Sequence, residues 1–119
     1  MLIVDDDELA RETYAAAIEG AGYTVAQASN GREALDTLHR VKPEMVLLDL
    51  QMPDMDGPTF RQEQRRNRGW LRIPTVVMTG SLDEKVLDLA VDDTLQKPFQ
   101  PEALLSLVRR YCSRGPGVA

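Results

Sequence analysis

The sequence predicts a doubly wound α/β domain built on a five-stranded parallel sheet. Five short apolar segments alternate along the chain with five segments of helical pattern, and this alternation is typical of strand–helix–strand units. The segments MLIV and MVLL are apolar at every position, as expected of strands that are buried on both faces of a parallel sheet. The chain has 119 residues, which is the usual size of a single domain.

The first half of the chain contains three of these strands. Residues 1–4 predict the first strand, and residues 5–22 predict a helix that ends at Gly20 and Gly22. The segment YTVAQA predicts the second strand and MVLLDL the third. We expect one face of the first helix to be buried, and its residues are Leu9, Thr13, Ala16 and Ala17.

The second helix lies between the second and third strands. Asn30 is a suitable N-cap, with Glu33 three residues later in a weaker version of the capping box. Pro43 ends this helix. The residues expected to face the core are Ala34, Leu35, Leu38 and Val41.

The second half of the chain contains two further strands. PTFRQEQRRNR predicts a polar helix with Phe60 as its only apolar anchor, and the strand IPTVVMT follows it. Ser81 and Glu84 have the spacing of a capping box, which predicts a short helix carrying Leu82, Val86 and Leu89. TLQK predicts the last strand, and Pro101 begins the final helix. The apolar stripe of that helix is Leu104, Leu107, Val108 and Tyr111.

Composition and charge exclude several classes of protein. With 43% hydrophobic and 28% charged residues, the chain has the composition of a soluble globular domain. Its net charge of −5 disfavours non-specific binding to nucleic acid or to anionic membranes. No apolar segment approaches the length of a membrane span. Cys112 is the only cysteine, so no intrachain disulfide can form, and we expect a cytoplasmic location.

Polar residues follow the predicted strands at one end of the sheet. Asp5 and Asp6 follow the first strand and Asp49 ends the third, whereas Thr79 and Lys97 end the fourth and fifth. In the flavodoxin-like strand order 2-1-3-4-5, the first and third strands are neighbours at the point where ligands bind. We therefore expect the two acidic groups to face each other there.

This combination of side chains is suited to phosphoryl transfer. Converging carboxylates repel one another unless a cation lies between them, and oxygen ligands with open positions favour Mg²⁺. An ammonium group such as Lys97 and a hydroxyl such as Thr79 can stabilise charge on phosphoryl oxygens. One carboxylate can then attack phosphorus and form an aspartyl phosphate. Any one of these residues, taken alone, is explained as a polar group at a strand end that improves solubility. That role does not explain why five such residues fall at one edge of the sheet.

Four motifs carry a resemblance to a known family. LIVDDD, LLDLQMPDMDG, VVMTG and LQKPF stand in the order of the receiver domains of bacterial two-component response regulators, the CheY-like family. The chain resembles these domains over nearly its whole length. The resemblance implies that Asp49 is the phosphoacceptor, that Thr79 and Lys97 contact the phosphoryl group, and that Pro98 shapes the lysine's loop, with a cis bond as one option. The implied ligands of Mg²⁺ are Asp5, Asp6, Asp49 and the backbone carbonyl of Gln51.

The same resemblance implies partners and a limited catalytic role. The expected phosphodonor is a histidine kinase, a phosphotransfer domain or a small phosphodonor. The expected target is a downstream protein or a fused output domain, and a weak homodimer is a further option. Such a domain catalyses only its own phosphorylation and dephosphorylation. From the charge and composition of the chain, we also expect no direct binding to nucleic acid and no insertion into membranes.

Two departures from the family pattern affect signalling. Thr94 occupies the position, three residues before Lys97, where the family usually has an aromatic residue. The segment between Thr79 and Lys97 is also about one helical turn short. We expect a shortened fourth helix and an altered docking surface where this helix meets the last strand and the last helix.

Two alternative functions follow from the same residues. The departures favour a phosphorylation-independent pseudo-receiver, a module that acts only through contacts with other proteins. Such modules normally have a damaged acidic site, however, and the site of this chain is complete. A Mg²⁺-dependent phosphatase would use the same aspartyl intermediate. The haloacid-dehalogenase class of such enzymes has an acid two residues after the nucleophile, and this chain has Gln51 there.

A run of arginines follows the third strand. The net negative charge of the chain favours a solvated helix face or a protein-docking surface over a nucleic-acid site. The arginines are Arg61, Arg65, Arg66, Arg68 and Arg72.

His39, the only histidine, is expected to be an ordinary surface residue.

The predicted domain boundaries follow from these elements. We expect the receiver domain to span residues 1–112, and residues 113–119 to be a C-terminal tail or the remnant of a linker. The first strand is short for a central strand. Our hypothesis is that the chain is a receiver removed from a longer protein, either a hybrid sensor kinase or a multidomain regulator.

Overall fold

The strands and helices of this computed structural model follow the order expected from the sequence. The structure describes residues 1–50, 57–80 and 91–112. The strands are β1 (Leu2–Val4), β2 (Ala26–Ala28), β3 (Val46–Asp49), β4 (Thr75–Thr79) and β5 (Asp93–Gln96). The helices in this part of the chain are α1 (Glu8–Gly20), α2 (Gly31–Arg40), α3 (Gly57–Arg66) and α4 (Pro101–Tyr111).

The sheet has the predicted topology. Its five strands pair in parallel in the order β2-β1-β3-β4-β5, which confirms the doubly wound, flavodoxin-like fold. The side chains of successive β1 residues point to opposite faces of the sheet. Leu2 and Val4 pack into a core with Phe60 of α3, whereas Ile3 packs into a second core with Ile18 of α1 and Leu104 of α4. No helix in the described part of the chain combines the length and the apolarity that a membrane crossing requires.

Side chains cap the first two helices. Asn30 accepts a hydrogen bond from the Glu33 N–H at 2.8 Å, which confirms it as the N-cap of α2. The Glu33 carboxylate accepts from the N–H and the hydroxyl of Ser29, both at 2.8 Å, and these bonds lower the pKa of Glu33. Asp7 caps α1 by accepting from the Ala10 N–H at 3.2 Å.

The predicted buried face of α1 is wrong. Leu9 is 76% exposed, and Thr13 and Ala16 are exposed as well. Ala15 and Ile18 are the residues that α1 buries against the sheet. An alanine-rich helix has several faces of similar polarity, so the position of the sheet decides which of them is covered.

Predictions for the other helices have mixed outcomes. In α2, Leu38 is buried as predicted, but the helix ends at Arg40 and the extended Val41 is 48% exposed. Leu104, Leu107 and Val108 of α4 are buried, which confirms its apolar stripe. The predicted short helix after β4, with its capping box and apolar residues, lies outside the described residues.

The expectation of a solvated Arg61 is also wrong. Arg61 and Gln64 of α3 are buried beside Thr75, the first residue of β4. The Arg61 guanidinium donates to Gln64 Oε1 at 2.9 Å and to Thr75 Oγ1 at 3.1 Å. Burial lowers the pKa of Arg61, and the charge of Asp92 opposes this shift. Phe60 is therefore not the only anchor of α3, because a polar network holds the same helix to the sheet.

Replacing Gln64 should destabilise the domain. Its amide nitrogen also donates to the carbonyls of Trp70 at 3.2 Å and Ile73 at 3.4 Å. Gln64→Ala leaves these carbonyls and the buried Arg61 guanidinium short of partners, so we expect a loss of about 2 to 4 kcal/mol in the free energy of unfolding. Urea denaturation followed by circular dichroism measures this loss.

Gln62 offers a matched control, since it lies on the same helix and is exposed. Gln62→Ala should change the free energy of unfolding by less than about 0.5 kcal/mol. Equal effects of the two substitutions would show that the buried network contributes nothing to stability.

Candidate functional site

The carboxyl ends of four strands bring the predicted polar residues to one cleft. Asp49 and Thr79 are the last residues of β3 and β4, and Lys97 directly follows β5. The cleft has a volume of about 400 Å³. Its lining residues are Asp5, Asp6, Asp7, Asp49, Thr79, Gly80 and Lys97. The structure thus gathers the five described candidate residues, whereas Gln51 lies outside the described residues.

Asp5 is the most deeply buried acid of the cleft. It is fully buried, and its Oδ1 accepts a hydrogen bond from the Asp7 N–H at 2.9 Å. The pKa of Asp5 is raised to about 6, chiefly because burial disfavours the charged form and also because Asp49 lies nearby. The Asp7 N–H and the charge of Lys97 oppose this shift.

Asp49 lies beside Lys97, which lines the same cleft. Its Oδ1 is 3.5 Å from Lys97 Nζ, and Asp5 Oδ2 is 4.0 Å from the same nitrogen. Asp49 is buried and Lys97 is partly exposed. The ammonium group is therefore close enough to both carboxylates to offset part of their mutual repulsion.

The backbone holds the lysine next to the end of β4. The Lys97 N–H donates to the Thr79 carbonyl at 2.7 Å, and Thr79 is itself buried. The Lys97–Pro98 peptide bond is cis, the option considered for this loop from the sequence. Thr79 and Lys97 both line the cleft.

Three carboxylates of the cleft fit a divalent cation. One ligand atom from each of Asp5, Asp6 and Asp49 lies within 4.8 Å of the others. Asp5 Oδ2 is buried and has no hydrogen-bond partner within the described residues, an arrangement that a bound cation would relieve. Oxygen ligands of this kind are typical of Mg²⁺ sites, in which water molecules complete the coordination.

Sequence reasoning missed the residues that orient Asp5. Asp7 donates its backbone N–H to Asp5 Oδ1, and Arg11 Nη1 donates to the Asp5 carbonyl oxygen at 2.8 Å. The position of Asp7 immediately before a helix is a recognisable N-cap signal. Nothing in the local pattern indicates the role of Arg11, because its contact depends on how α1 lies against the end of β1.

Comparisons with known proteins agree with the geometry of the cleft. The response regulator receiver domain family model matches residues 1–109. Response regulator MprA of Mycolicibacterium vanbaalenii is 38% identical over 116 residues, which are 96% of this chain and 50% of that protein. The chain spans about half or less of the length of the curated relatives that it matches.

Solved structures show the same fold. The signal receiver domain of a signal transduction histidine kinase from Syntrophus aciditrophicus superposes with a TM-score of 0.87 at 28% identity, covering 99% of this chain and 95% of that one. The receiver domain of a sensor histidine kinase from Pseudomonas aeruginosa PAO1 has a magnesium ion coordinated in its active site cleft. It superposes with a TM-score of 0.85 at 25% identity, covering 92% of this chain and 93% of that one. This chain, matched by the family model over most of its length, belongs to the response regulator receiver domain family.

Proposed function

We propose that the chain accepts a phosphoryl group on Asp49 in a two-component signalling system. The observation that carries this proposal is the position of Asp49 at the end of β3, where its carboxylate is 3.5 Å from Lys97 Nζ. Asp5 and Asp6 lie within the same carboxylate group. A buried carboxylate that faces a fixed positive charge and an open cleft is suited to attack an incoming phosphorus atom.

The described residues divide the work of phosphoryl transfer. An oxygen of Asp49 attacks phosphorus while the P–N bond of a phosphohistidine breaks, and the departing imidazole nitrogen takes up a proton. Lys97 and Thr79 then stabilise the charge on the phosphoryl oxygens, because an ammonium group and a hydroxyl can both donate to them. Both residues line the cleft beside Asp49.

A divalent cation fits the acidic side of the same cleft. Asp5, Asp6 and Asp49 would hold Mg²⁺, with the backbone carbonyl of Gln51 as a further ligand from outside the described residues. When bound, the ion supplies positive charge that balances the phosphoryl oxygens. Asp5 Oδ2, which is buried and has no hydrogen-bond partner within the described residues, supports this assignment, as does the magnesium ion in the related cleft from Pseudomonas aeruginosa.

The donor and the target are proposed from the family. The phosphodonor is a histidine kinase or a phosphotransfer domain, the target is a separate protein or a fused output domain, and the domain functions in the cytoplasm. Thr94 of β5, half-buried in the structure, stands where an aromatic residue usually reports phosphorylation. The response to phosphorylation therefore uses a different rearrangement from the usual inward rotation of an aromatic ring.

Phosphorylation of Asp49 can be tested with a small phosphodonor. Incubation with acetyl phosphate and Mg²⁺ should add the mass of one phosphoryl group to the intact chain, because Asp49 is accessible from the cleft and Lys97 favours the attack. Asp49→Asn should abolish the adduct, since an amide is a poor nucleophile. Intact-mass spectrometry measures both results.

Asp36→Asn is the matched control, because Asp36 is an exposed aspartate of α2, and this variant should be phosphorylated like the wild type. Multiple turnover on small phosphate esters would instead indicate the phosphatase. A wild-type chain that forms no adduct with any donor would indicate the pseudo-receiver.

The raised pKa of Asp5 predicts a dependence of stability on pH and Mg²⁺. Its pKa is about 6 in the folded state against an ordinary value of 3.8, so without a divalent cation the wild type loses stability as the pH rises between these values. Asp5→Asn removes this cost and should be more stable by about 1 to 3 kcal/mol near neutral pH. The gain should shrink as the pH falls through the same window. Urea unfolding over this pH range measures the difference.

Millimolar Mg²⁺ should reverse the order of stability, because the ion stabilises the folded wild type and binds Asp5→Asn poorly. Asp6→Asn is the control for the pH effect. Asp6 is exposed, so its substitution should raise the free energy of unfolding less than Asp5→Asn does. Identical unfolding curves for the wild type and Asp5→Asn near neutral pH without Mg²⁺ would contradict this account.

A further inference from the structure

A second cleft lies at the opposite end of the sheet from Asp49. Its volume is about 410 Å³. One wall is the segment between α2 and β3, and the other is the loop between α3 and β4. Both segments lead into the amino ends of their strands. The cleft therefore has no residue in common with the acidic cleft at the carboxyl ends.

Three cationic side chains line this second cleft. Lys42 contributes from one wall, and Arg68 and Arg72 contribute from the other. All three are exposed. Within the described residues, their side chains make no hydrogen bond or ion pair. The positive charge is thus available to a ligand, in a chain whose net charge is −5.

The floor of the cleft is apolar. This floor is formed by Pro43 and Ile73, which are buried, and by Pro74, which is partly buried. Leu71, in the loop that forms one wall, is 45% exposed. A ligand that fills the cleft would gain from apolar contact as well as from charge. A simple inorganic anion would use only the charge.

Hydrogen bonds hold the wall of this cleft in shape. The buried Gln64 donates to the carbonyls of Trp70 and Ile73, and the Leu71 N–H donates to the Asn67 carbonyl at 2.9 Å. The ring of Trp70 contacts His39 of α2 edge-on, with centroids 4.8 Å apart. A loop that is already ordered loses little entropy when a ligand binds.

We propose that this cleft binds an acidic peptide segment, whose carboxylates contact Lys42, Arg68 and Arg72 while an apolar side chain contacts the floor. Charge complementarity selects a carboxylate-bearing ligand. Glu44 also lines the cleft, and together with the acidic chain it disfavours a continuous polyphosphate such as nucleic acid. A peptide, in contrast, has backbone N–H groups that can face a carboxylate.

The test uses the complete chain and a pool of short fluorescein-labelled peptides in which Glu and Asp flank one Leu or Phe. Fluorescence anisotropy should detect binding at low salt that weakens as salt is added, because exposed charges are screened. Arg68→Ala/Arg72→Ala should weaken the binding by about tenfold or more, since two charge-assisted contacts are lost.

Arg32→Ala/Arg109→Ala is the matched control, because both arginines are exposed and lie outside this cleft. It should bind the peptides like the wild type. Both double variants should keep the circular dichroism spectrum and the urea unfolding curve of the wild type, which shows that they are folded. In amide NMR spectra, the peptide should shift residues 42–44 and 68–73 and leave the surroundings of Asp49 unchanged.

Three outcomes would overturn the proposal. The first is that no peptide of the pool binds, or that the Arg68→Ala/Arg72→Ala variant binds as tightly as the wild type. The second is that an oligothymidine of the same length binds more tightly through the same residues, which would make the cleft a nucleic-acid site. The third is a concentration-dependent dimer that only this variant loses, which would assign the cleft to a second copy of the chain.

Discussion

The repulsion among carboxylates at one edge of the sheet is the constraint on which the functional site depends. Parallel pairing brings the ends of β1 and β3 together, and so places Asp5 and Asp49 in one cleft from which much of the solvent is excluded. Charges so close in a medium of low polarity are costly unless a cation compensates them. Lys97 provides part of this compensation from the end of β5. The negative charge that remains makes the carboxylate group of Asp5, Asp6 and Asp49 suitable for holding a divalent cation.

The parallel sheet also separates two kinds of chemistry in space. Its carboxyl ends carry the acidic cleft, and its amino ends carry a cleft with three cations. Because every strand runs in the same direction, residues that precede strands gather at one end and residues that follow strands gather at the other. Two ligands of different chemistry could therefore occupy the same small domain without competing for residues.

Buried polar groups outside the acidic cleft have a structural role. Arg61, Gln64 and Thr75 satisfy one another at the start of β4, and Gln64 also orders the loop that forms one wall of the second cleft. The Thr75 N–H donates to the carboxylate of Asp92 at 2.8 Å, which links the network to the residue before β5. A network of this kind requires all its members, because a partner left unsatisfied in the interior costs more than one hydrogen bond provides.

The sequence by itself determined the order of strands and helices, the N-cap of α2 and the edge at which Asp49, Thr79 and Lys97 meet. These features depend on local periodicity and on which residues follow a strand, and both can be recognised along the chain. Only the tertiary structure decided that Ile18 rather than Leu9 faces the core, and that Arg61 is buried. Burial of a helix face depends on the elements packed against it, which local periodicity does not specify. The same is true of the difference between the buried Asp5 and the exposed Asp6, because the neighbouring strands cover one of two adjacent carboxylates and leave the other in solvent.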